Sequence, residues 1–223
     1  MKIDFVSDVS CPWCVIGLKS LEKAIDRLGP EFSYTLQFQP FELNPRMADE
    51  GQDLEEHLQQ KYGSTPAQGA AVREAIRKRG AELGFTFDLQ ARSRIYNTFD
   101  CHRLLHWAGT QSASAQHDLK LALFSAYFSE GKKPSDHGLM LEKVVALGLD
   151  VAEAQAVLSS DRYAAEVREQ EDFYHAQGIH SVPSIIINDM HLIQGGQEPE
   201  VFEQLLRQVA SASDLPSQVP REG

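Results

Sequence analysis

Apolar residues near both ends of the chain follow the patterns of β-strands. Residues 2–7, with Ile3, Phe5 and Val6, are typical of a short buried strand, and residues 34–39 alternate between polar and apolar with period two. Near the other end, residues 184–187 are a β-branched apolar run, and a turn at residues 188–189 separates them from residues 191–193. The pattern therefore predicts two strands early in the chain and a β-hairpin late in it.

Apolar residues at helical spacing occupy most of the remaining chain. Leu18, Leu21 and Ile25 mark one face of a first helix that ends at Gly29. From about residue 50 to residue 177 the pattern is almost wholly helical, without a fixed repeat. The helices predicted there run from Thr65-Pro66 to Gly84, over about 97–109, over about 115–129, from a Ser135 cap to Gly148, from Asp150 onward, and from Asp161 to Gly178. A last helix is predicted over 199–209, so the order is β-α-β, then helices, then β-β-α.

This order predicts an α/β fold in which a helical segment interrupts one α/β core. The core is expected to combine residues 1–45 with residues 178–210, and residues 46–177 to form an all-helical insertion. Residues 211–223, rich in Ser, Asp, Pro and Gln, are expected to be a flexible tail.

Composition and charge exclude several classes of protein. The 223 residues carry 21 Lys and Arg against 32 Asp and Glu, a formal net charge of −11, which argues against binding to nucleic acid or to an anionic membrane. The sequence has no apolar run long enough to span a bilayer, and Asp4 and Asp8 interrupt any signal-peptide core. We therefore expect a cytoplasmic protein without membrane contact, either a monomer or a homodimer. Three cysteines do not make a secreted disulfide scaffold.

Two of the cysteines form a Cys11-Pro12-Trp13-Cys14 motif between the first strand and its helix. The unpaired N–H groups and positive dipole end of a helix N-terminus would stabilise a thiolate on Cys11. Cys14, lying one turn deeper, would resolve a mixed disulfide formed there, and Pro12 fits an early helical position because it lacks an N–H. A zinc site is the alternative for such a pair, but a closed site needs two further ligands. Cys101-His102 is the only candidate, and adjacent helical residues point apart, so no metal is expected.

Several phrases of the sequence resemble the DsbA family of thioredoxin-fold proteins, and more narrowly its FrnE-like branch, which is related to 2-hydroxychromene-2-carboxylate isomerases. The matching phrases are residues 7–14 with the CPWC motif, 41–45, 181–184 and 194–197. The resemblance implies a thioredoxin-like fold with a large all-helical insertion. It also implies a cis peptide bond at Pro183, which would face the cysteine pair.

The resemblance, together with position relative to Cys11 and Pro183, suggests residues that contact the substrate. Val182 would offer its backbone N–H and C=O to an extended strand beside Cys11, and Pro12 and Trp13 would flank it. The alternative for Trp13 is packing against the insertion. Asn97 stands where the family has an Asn at a helix start near the active site, and it is otherwise a simple helix cap. His180 is either a neighbour of the Cys11 sulfur or a solvated loop residue.

Three functions remain open at this level. The first is a thiol-disulfide oxidoreductase acting on protein or small-molecule thiols and disulfides, without a bound cofactor and with glutathione as a candidate co-substrate. The second is a glutathione-dependent isomerase or transferase of the 2-hydroxychromene-2-carboxylate isomerase type. The third is a chaperone-like holdase in which the cysteines have no catalytic role. Cys101 lies on the apolar face of its helix and is expected to be a small core residue rather than a regulatory thiol.

Overall fold

A four-stranded mixed sheet lies at the centre of the computed structural model, which describes residues 1–88 and 90–213. The strands in this part of the chain are β1 (Lys2–Ser7), β2 (Thr35–Pro40), β3 (Gln52–Asp53), β4 (Arg94–Ile95), β5 (Ser184–Ile187) and β6 (His191–Gln194). The order is β2-β1-β5-β6, with β1 parallel to β2 and antiparallel to β5. The predicted early strands and late hairpin are confirmed. The β3–β4 ladder was not predicted, because two residues are too few to show a period.

Helices lie between β1 and β2, between β2 and β5, and after β6. They are α1 (Pro12–Leu28), α2 (Leu54–Tyr62), α3 (Pro66–Glu82), α4 (Phe99–Gln111), α5 (Ala113–Phe128), α6 (His137–Ala146), α7 (Val151–Leu158), α8 (Ala164–Ala176) and α9 (Pro199–Ser213). The β-α-β, helical, β-β-α order predicted from the sequence is therefore confirmed. Among the residues described, no helix is both long and apolar enough to cross a membrane.

Helix starts follow local capping chemistry. Thr65 begins α3 with a capping box: its Oγ1 accepts from the Gln68 N–H, and the Gln68 side chain accepts from the Thr65 N–H. The prediction that Ser135 caps α6 is wrong, because the Asp136 carboxylate accepts the Leu139 N–H at 2.8 Å instead.

Three other helices also differ from the prediction. The helix expected to begin at Asp161 begins at Ala164, because Tyr163 takes a left-handed conformation with φ of 63° that interrupts it. Helix α2 was not predicted, since only Leu54 and His57 of its residues are buried and no apolar face is visible. Helix α9 continues through the first part of the predicted tail to Ser213, and the remainder, 214–223, lies outside the described residues.

The helical segment shares its apolar interior with the sheet. Ile3 and Phe5 of β1 belong to a cluster that includes α1 and α9 but also Phe124 and Phe128 of α5. A second apolar cluster contains side chains of α4, α5, α6 and α7, together with Val9 from the loop just before the CPWC motif. Cys101 lies inside this second cluster and is fully buried, which confirms its assignment as a core residue. The division into two domains remains a prediction.

Gln116 of α5 closes the free edge of the sheet at β2. Its Oε1 accepts the Phe38 N–H at 2.9 Å, and its Nε2 donates to the Phe38 carbonyl at 3.1 Å. An edge strand leaves such backbone groups unpaired, so a buried amide that satisfies both is a strong anchor. The contact therefore fixes α5 against the sheet at β2.

Candidate active site

The cysteine pair lies at the start of α1, directly after the loop that follows β1. Cys11 is the N-cap residue, Pro12 occupies the first turn, and the Cys14 N–H donates to the Cys11 carbonyl at 3.1 Å. Cys11 is 4 % exposed and Cys14 is fully buried, and both are free thiols. Burial, reinforced by the neighbouring Cys11, raises the pKa of the Cys14 thiol well above its ordinary value. Of the two thiols, Cys11 is therefore the one that an external disulfide can approach.

A cis peptide bond joins Val182 to Pro183 opposite the pair, as the resemblance implied. The Cys11 thiol donates to the Val182 carbonyl with a sulfur–oxygen distance of 3.7 Å. The close approach of this loop depends on Gly17 of α1, where a Cβ would lie 2.9 Å from Pro183 Cγ. The missing side chain thus lets Pro183 rest directly on the helix that carries the cysteines.

Asp8 is a fully buried carboxylate beneath the motif. Its Oδ1 accepts the Ser10 N–H at 3.0 Å, while its Oδ2 accepts the Ser10 hydroxyl at 2.9 Å and the Leu43 N–H at 2.7 Å. His102 of α4 lies beside this carboxylate, with its Nε2 3.7 Å from Asp8 Oδ1. Burial alone would raise the pKa of Asp8, but His102 and the two N–H groups outweigh it and hold the pKa at about 2. Asp8 therefore ties the loop before Cys11 to the segment after β2 and to the helical insertion.

The insertion also contributes the rim of the site. Tyr62, the last residue of α2, is 59 % exposed and lies within electrostatic range of Cys11. Arg79 of α3 places its guanidinium 5.9 Å from the centre of the Trp13 ring and also contacts Gln197 and Glu198 after β6. A cation supplied by a helix of the insertion thus lies over Trp13 of the motif.

The residues predicted to contact the substrate differ in their burial and in their contacts. Pro12 and Trp13 are half-buried at the start of α1, and Trp13 packs on the main apolar cluster. His180 is exposed and its ring stacks on that of His175, with 6.0 Å between centroids. Asn97 accepts the Phe99 N–H at 2.8 Å and donates to the Met47 carbonyl at 3.3 Å, so it fixes the start of α4. Roles of Asn97 and His180 in binding a substrate remain predictions.

Other residues near the pair escaped the sequence reasoning. Tyr62 and Arg79 carried no signal, since both lie on helices with weak apolar patterns. Lys120 did carry one: it falls on the same face of α5 as Gln116, Leu123 and Phe124, which are all buried. A lysine on an apolar helix face is uncommon and marks a site worth testing. In the described part of the chain, no three His, Cys, Asp or Glu side chains form a metal-binding group.

A helix-capping CPWC motif facing a cis-proline, on a sheet interrupted by helices, defines a thioredoxin-type protein with a DsbA-like insertion. Comparison with known families agrees, because the model of the DSBA-like thioredoxin domain matches residues 2–207. The chain belongs to this family.

Solved structures show the same fold. A probable DsbA oxidoreductase of Streptomyces coelicolor is 30 % identical, with a TM-score of 0.87 over 100 % of this chain and 95 % of that one. A 2-hydroxychromene-2-carboxylate isomerase is 17 % identical, with a TM-score of 0.68 over 97 % and 100 % of the two chains. The cytosolic disulfide reductase DsbM of Pseudomonas aeruginosa, solved with GSH, is 15 % identical, with a TM-score of 0.66 over 95 % and 100 %. The family thus includes oxidoreductase relatives, while the last two likenesses concern the fold alone.

Proposed function

We propose that the protein is a thiol-disulfide oxidoreductase that works through Cys11 and Cys14, with a mixed disulfide at Cys11 as the covalent intermediate. The observation that carries the proposal is the contact between the Cys11 thiol and the carbonyl of Val182, two residues 171 positions apart in sequence. It aligns the less buried sulfur with a backbone segment to which an extended substrate can pair. Pro12, Trp13, Val182 and Pro183 form the substrate-facing surface.

The reaction proceeds by two exchanges of the same kind. The Cys11 thiolate attacks one sulfur of a substrate disulfide, the substrate S–S bond breaks, and the first thiolate leaves. The Cys14 thiolate then attacks the Cys11 sulfur, which forms the Cys11–Cys14 bond and releases the second thiolate. The reverse sequence oxidises a dithiol, and the reduction potential of the pair sets the direction.

Glutathione is the small thiol that we propose as co-substrate. Glutathione carries two carboxylates, and Arg79 places a guanidinium over Trp13 beside the pair in a chain whose net charge is −11. The DsbM structure with GSH supports the choice. The proposed setting is the cytoplasm, where glutathione is mainly reduced.

Trapping the intermediate tests the proposal. Cys14→Ser protein treated with glutathione disulfide should retain one glutathione on Cys11, because no resolving thiol remains, and intact-mass measurement should detect it. The wild-type protein should end as the internal disulfide without an adduct, and Cys11→Ser should carry none. An adduct on Cys101, or no adduct on the Cys14→Ser protein, would contradict the proposal.

Replacing Arg79 tests the choice of glutathione. We expect Arg79→Met to raise the KM for glutathione about tenfold, since losing one charge-assisted contact is equivalent to roughly 1.4 kcal/mol. Arg77→Met is the matched control: it lies on the same helix but is exposed and pairs with Glu74. If both variants change the KM equally, the effect is one of net charge and the assignment of Arg79 is wrong.

The isomerase remains a second candidate because the 2-hydroxychromene-2-carboxylate isomerase covers nearly the whole chain with the same fold. An isomerase needs only an activated thiol on glutathione, so it should keep its activity in the Cys14→Ser protein. A dithiol oxidoreductase should lose turnover in that variant. Assaying both activities on the same variant separates the two functions.

A further inference from the structure

The two edges of the central sheet differ in how they are covered. At the β2 edge, the side chain of Gln116 satisfies both backbone groups of Phe38. At the other edge, β6 pairs with β5 on one side and with no further strand of the described residues on its other side. Three of its four residues, His191, Leu192 and Gln194, are exposed. In the part of the chain that the structure describes, the edge of β6 is therefore open.

The ladder between β5 and β6 determines which backbone groups of β6 point outward. The Gly195 N–H donates to the Pro183 carbonyl at 2.8 Å, and the register continues in steps of two through Ile193. Alternate residues of a strand hydrogen-bond on opposite sides, so the N–H and C=O groups of Leu192 and Gln194 point away from β5. Two residues of β6 can therefore pair with another strand without any change in the sheet.

Strand β6 lacks the residues that usually protect a free edge. Natural proteins protect such edges with charged side chains, above all lysine, or with proline. Residues 191–194, with the sequence His-Leu-Ile-Gln, include neither. Instead Leu192 is 48 % exposed, and Met190 just before the strand is 77 % exposed. An open edge flanked by exposed apolar side chains is typical of a surface that another strand covers.

The charge of this surface indicates which partner fits it. A cleft of ≈ 750 Å³ lies between β6 and α9, with Val201, Leu205 and Gln208 on the side of the helix. None of the described residues that line it is Asp, Glu, Lys or Arg, although 24 % of the chain is of these four types. A strongly charged partner would find no complementary charge here. Two copies of a chain with net charge −11 repel each other least through an uncharged surface, so a second copy is the partner that fits.

We propose that β6 pairs antiparallel with β6 of a second copy across a two-fold axis, so that the two sheets join into one continuous sheet. The register is centred on Ile193, and Leu192 of each copy lies opposite the partner's Gln194. Each such pair exchanges two backbone hydrogen bonds. The Gln194 carbonyl already accepts from Gln197 Nε2 at 2.7 Å, and its second lone pair serves the new bond. The exposed side chains of Leu192 and Met190 add the apolar area that so short a ladder lacks.

Sedimentation velocity of the full chain tests the interface. The wild-type protein should pass from monomer to dimer between micromolar and submillimolar concentration, and added salt should strengthen the dimer because it screens the repulsion between two acidic chains. Leu192→Lys should raise the dissociation constant about a hundredfold or more, since the two-fold axis places the new charge in the interface twice. Val145→Lys is the matched control: Val145 is an exposed valine on α6, away from β6, and its replacement should leave the dissociation constant unchanged.

A second pair of variants tests the register. Because residue 192 lies opposite the partner's residue 194, Leu192→Lys/Gln194→Glu places opposite charges across the axis and should recover much of the dimer. Leu192→Lys/Gln194→Lys places like charges there and should stay monomeric. Circular dichroism should show that both double variants are folded, since both positions are exposed. If the two double variants are equally monomeric, the antiparallel pairing of β6 is wrong.

Two other results would assign the edge of β6 to a different occupant. A wild-type protein that stays monomeric over the whole range of concentration, but dimerises once residues 214–223 are removed, would assign the edge to that segment of its own chain. A protein that is monomeric in both forms would leave the edge to an extended segment of another protein. Either result would overturn the proposal.

Discussion

Replacing Cys11 by serine should reduce dithiothreitol-dependent insulin reduction to the uncatalysed rate, a loss of about 10³-fold or more. A serine hydroxyl is not ionised at neutral pH and cannot form the S–S bond on which both exchanges depend. Cys14 cannot substitute, because it is fully buried and burial raises the pKa of its thiol. The measurement is the onset and rate of insulin precipitation at equal protein concentration.

The Cys101→Ser variant is the matched control for this loss. Cys101 donates to the Pro134 carbonyl at 3.2 Å in the interior of α4–α7, and a serine hydroxyl can make the same contact. Burial raises the pKa of its thiol, so Cys101 is a poor nucleophile at neutral pH. The Cys101→Ser variant should therefore keep a turnover close to that of the wild-type protein. Equal activity of the wild-type and Cys11→Ser proteins would remove the basis of the proposed mechanism.

Local pattern was sufficient to predict most of the fold. The β-branched runs, the capping signal at Thr65 and the glycine stops gave the order of elements because each depends on a few consecutive residues. Helix α2 escaped because only two of its side chains are buried, and the start of α8 escaped because the backbone of Tyr163 is set by its surroundings. Helix α2 is bounded by local caps at Asp53 and Gly63 that the apolar pattern does not reveal, whereas tertiary context decides the start of α8.

The residues of the candidate site likewise fall into those that the sequence predicts and those that it does not. The spacing of Cys11 and Cys14 identified the cysteine pair from the sequence, and the resemblance of the surrounding phrases to a known family identified Pro183. Arg79 reaches the site from α3, which lies far along the chain, so its approach depends on how the insertion folds back on the sheet. Nothing in a single sequence ties an arginine on α3 to a tryptophan on α1. The chemistry of attack was therefore predictable, whereas the groups that tune it were not.

Substituting Asp8 by asparagine should lower the free energy of unfolding at pH 7 by about 3 kcal/mol, which is about 6–12 °C in Tm for a chain of this size. The change is isosteric, but Asp8 accepts three hydrogen bonds and donates none. An amide in either orientation would turn its NH₂ group toward an N–H donor, that of Ser10 or of Leu43. The substitution thus creates a donor–donor contact in a fully buried place.

The pH dependence of this loss gives a second, independent check. The pKa of Asp8 is about 2 in the folded protein, below the ordinary value of 3.8 that applies to the unfolded chain. A carboxyl with a lowered folded pKa stabilises the protein above its unfolded pKa, and this contribution fades as the pH falls toward the folded value. The wild-type protein should therefore lose about 2 kcal/mol from this group between pH 5 and pH 2, and Asp8→Asn should not. Burial raises the pKa of Glu42 and Glu171, but their opposite contribution is common to both proteins.

Urea unfolding at pH 7 and at pH 3 measures both effects, with about 1 kcal/mol of the pH-dependent loss expected by pH 3. Asp4→Asn is the control. Asp4 is also buried and lies on β1, but its Oδ1 accepts from Gln39, a contact that asparagine can keep. Its other oxygen faces Lys2, which is exposed and already pairs with Asp189, so we expect a loss of about 1 kcal/mol or less. If Asp8→Asn is as stable as Asp4→Asn at pH 7, the network beneath Cys11 does not hold the loop in place. If instead the wild-type and Asp8→Asn proteins differ in stability by the same amount at both pH values, steric misfit rather than the charge of Asp8 accounts for the loss.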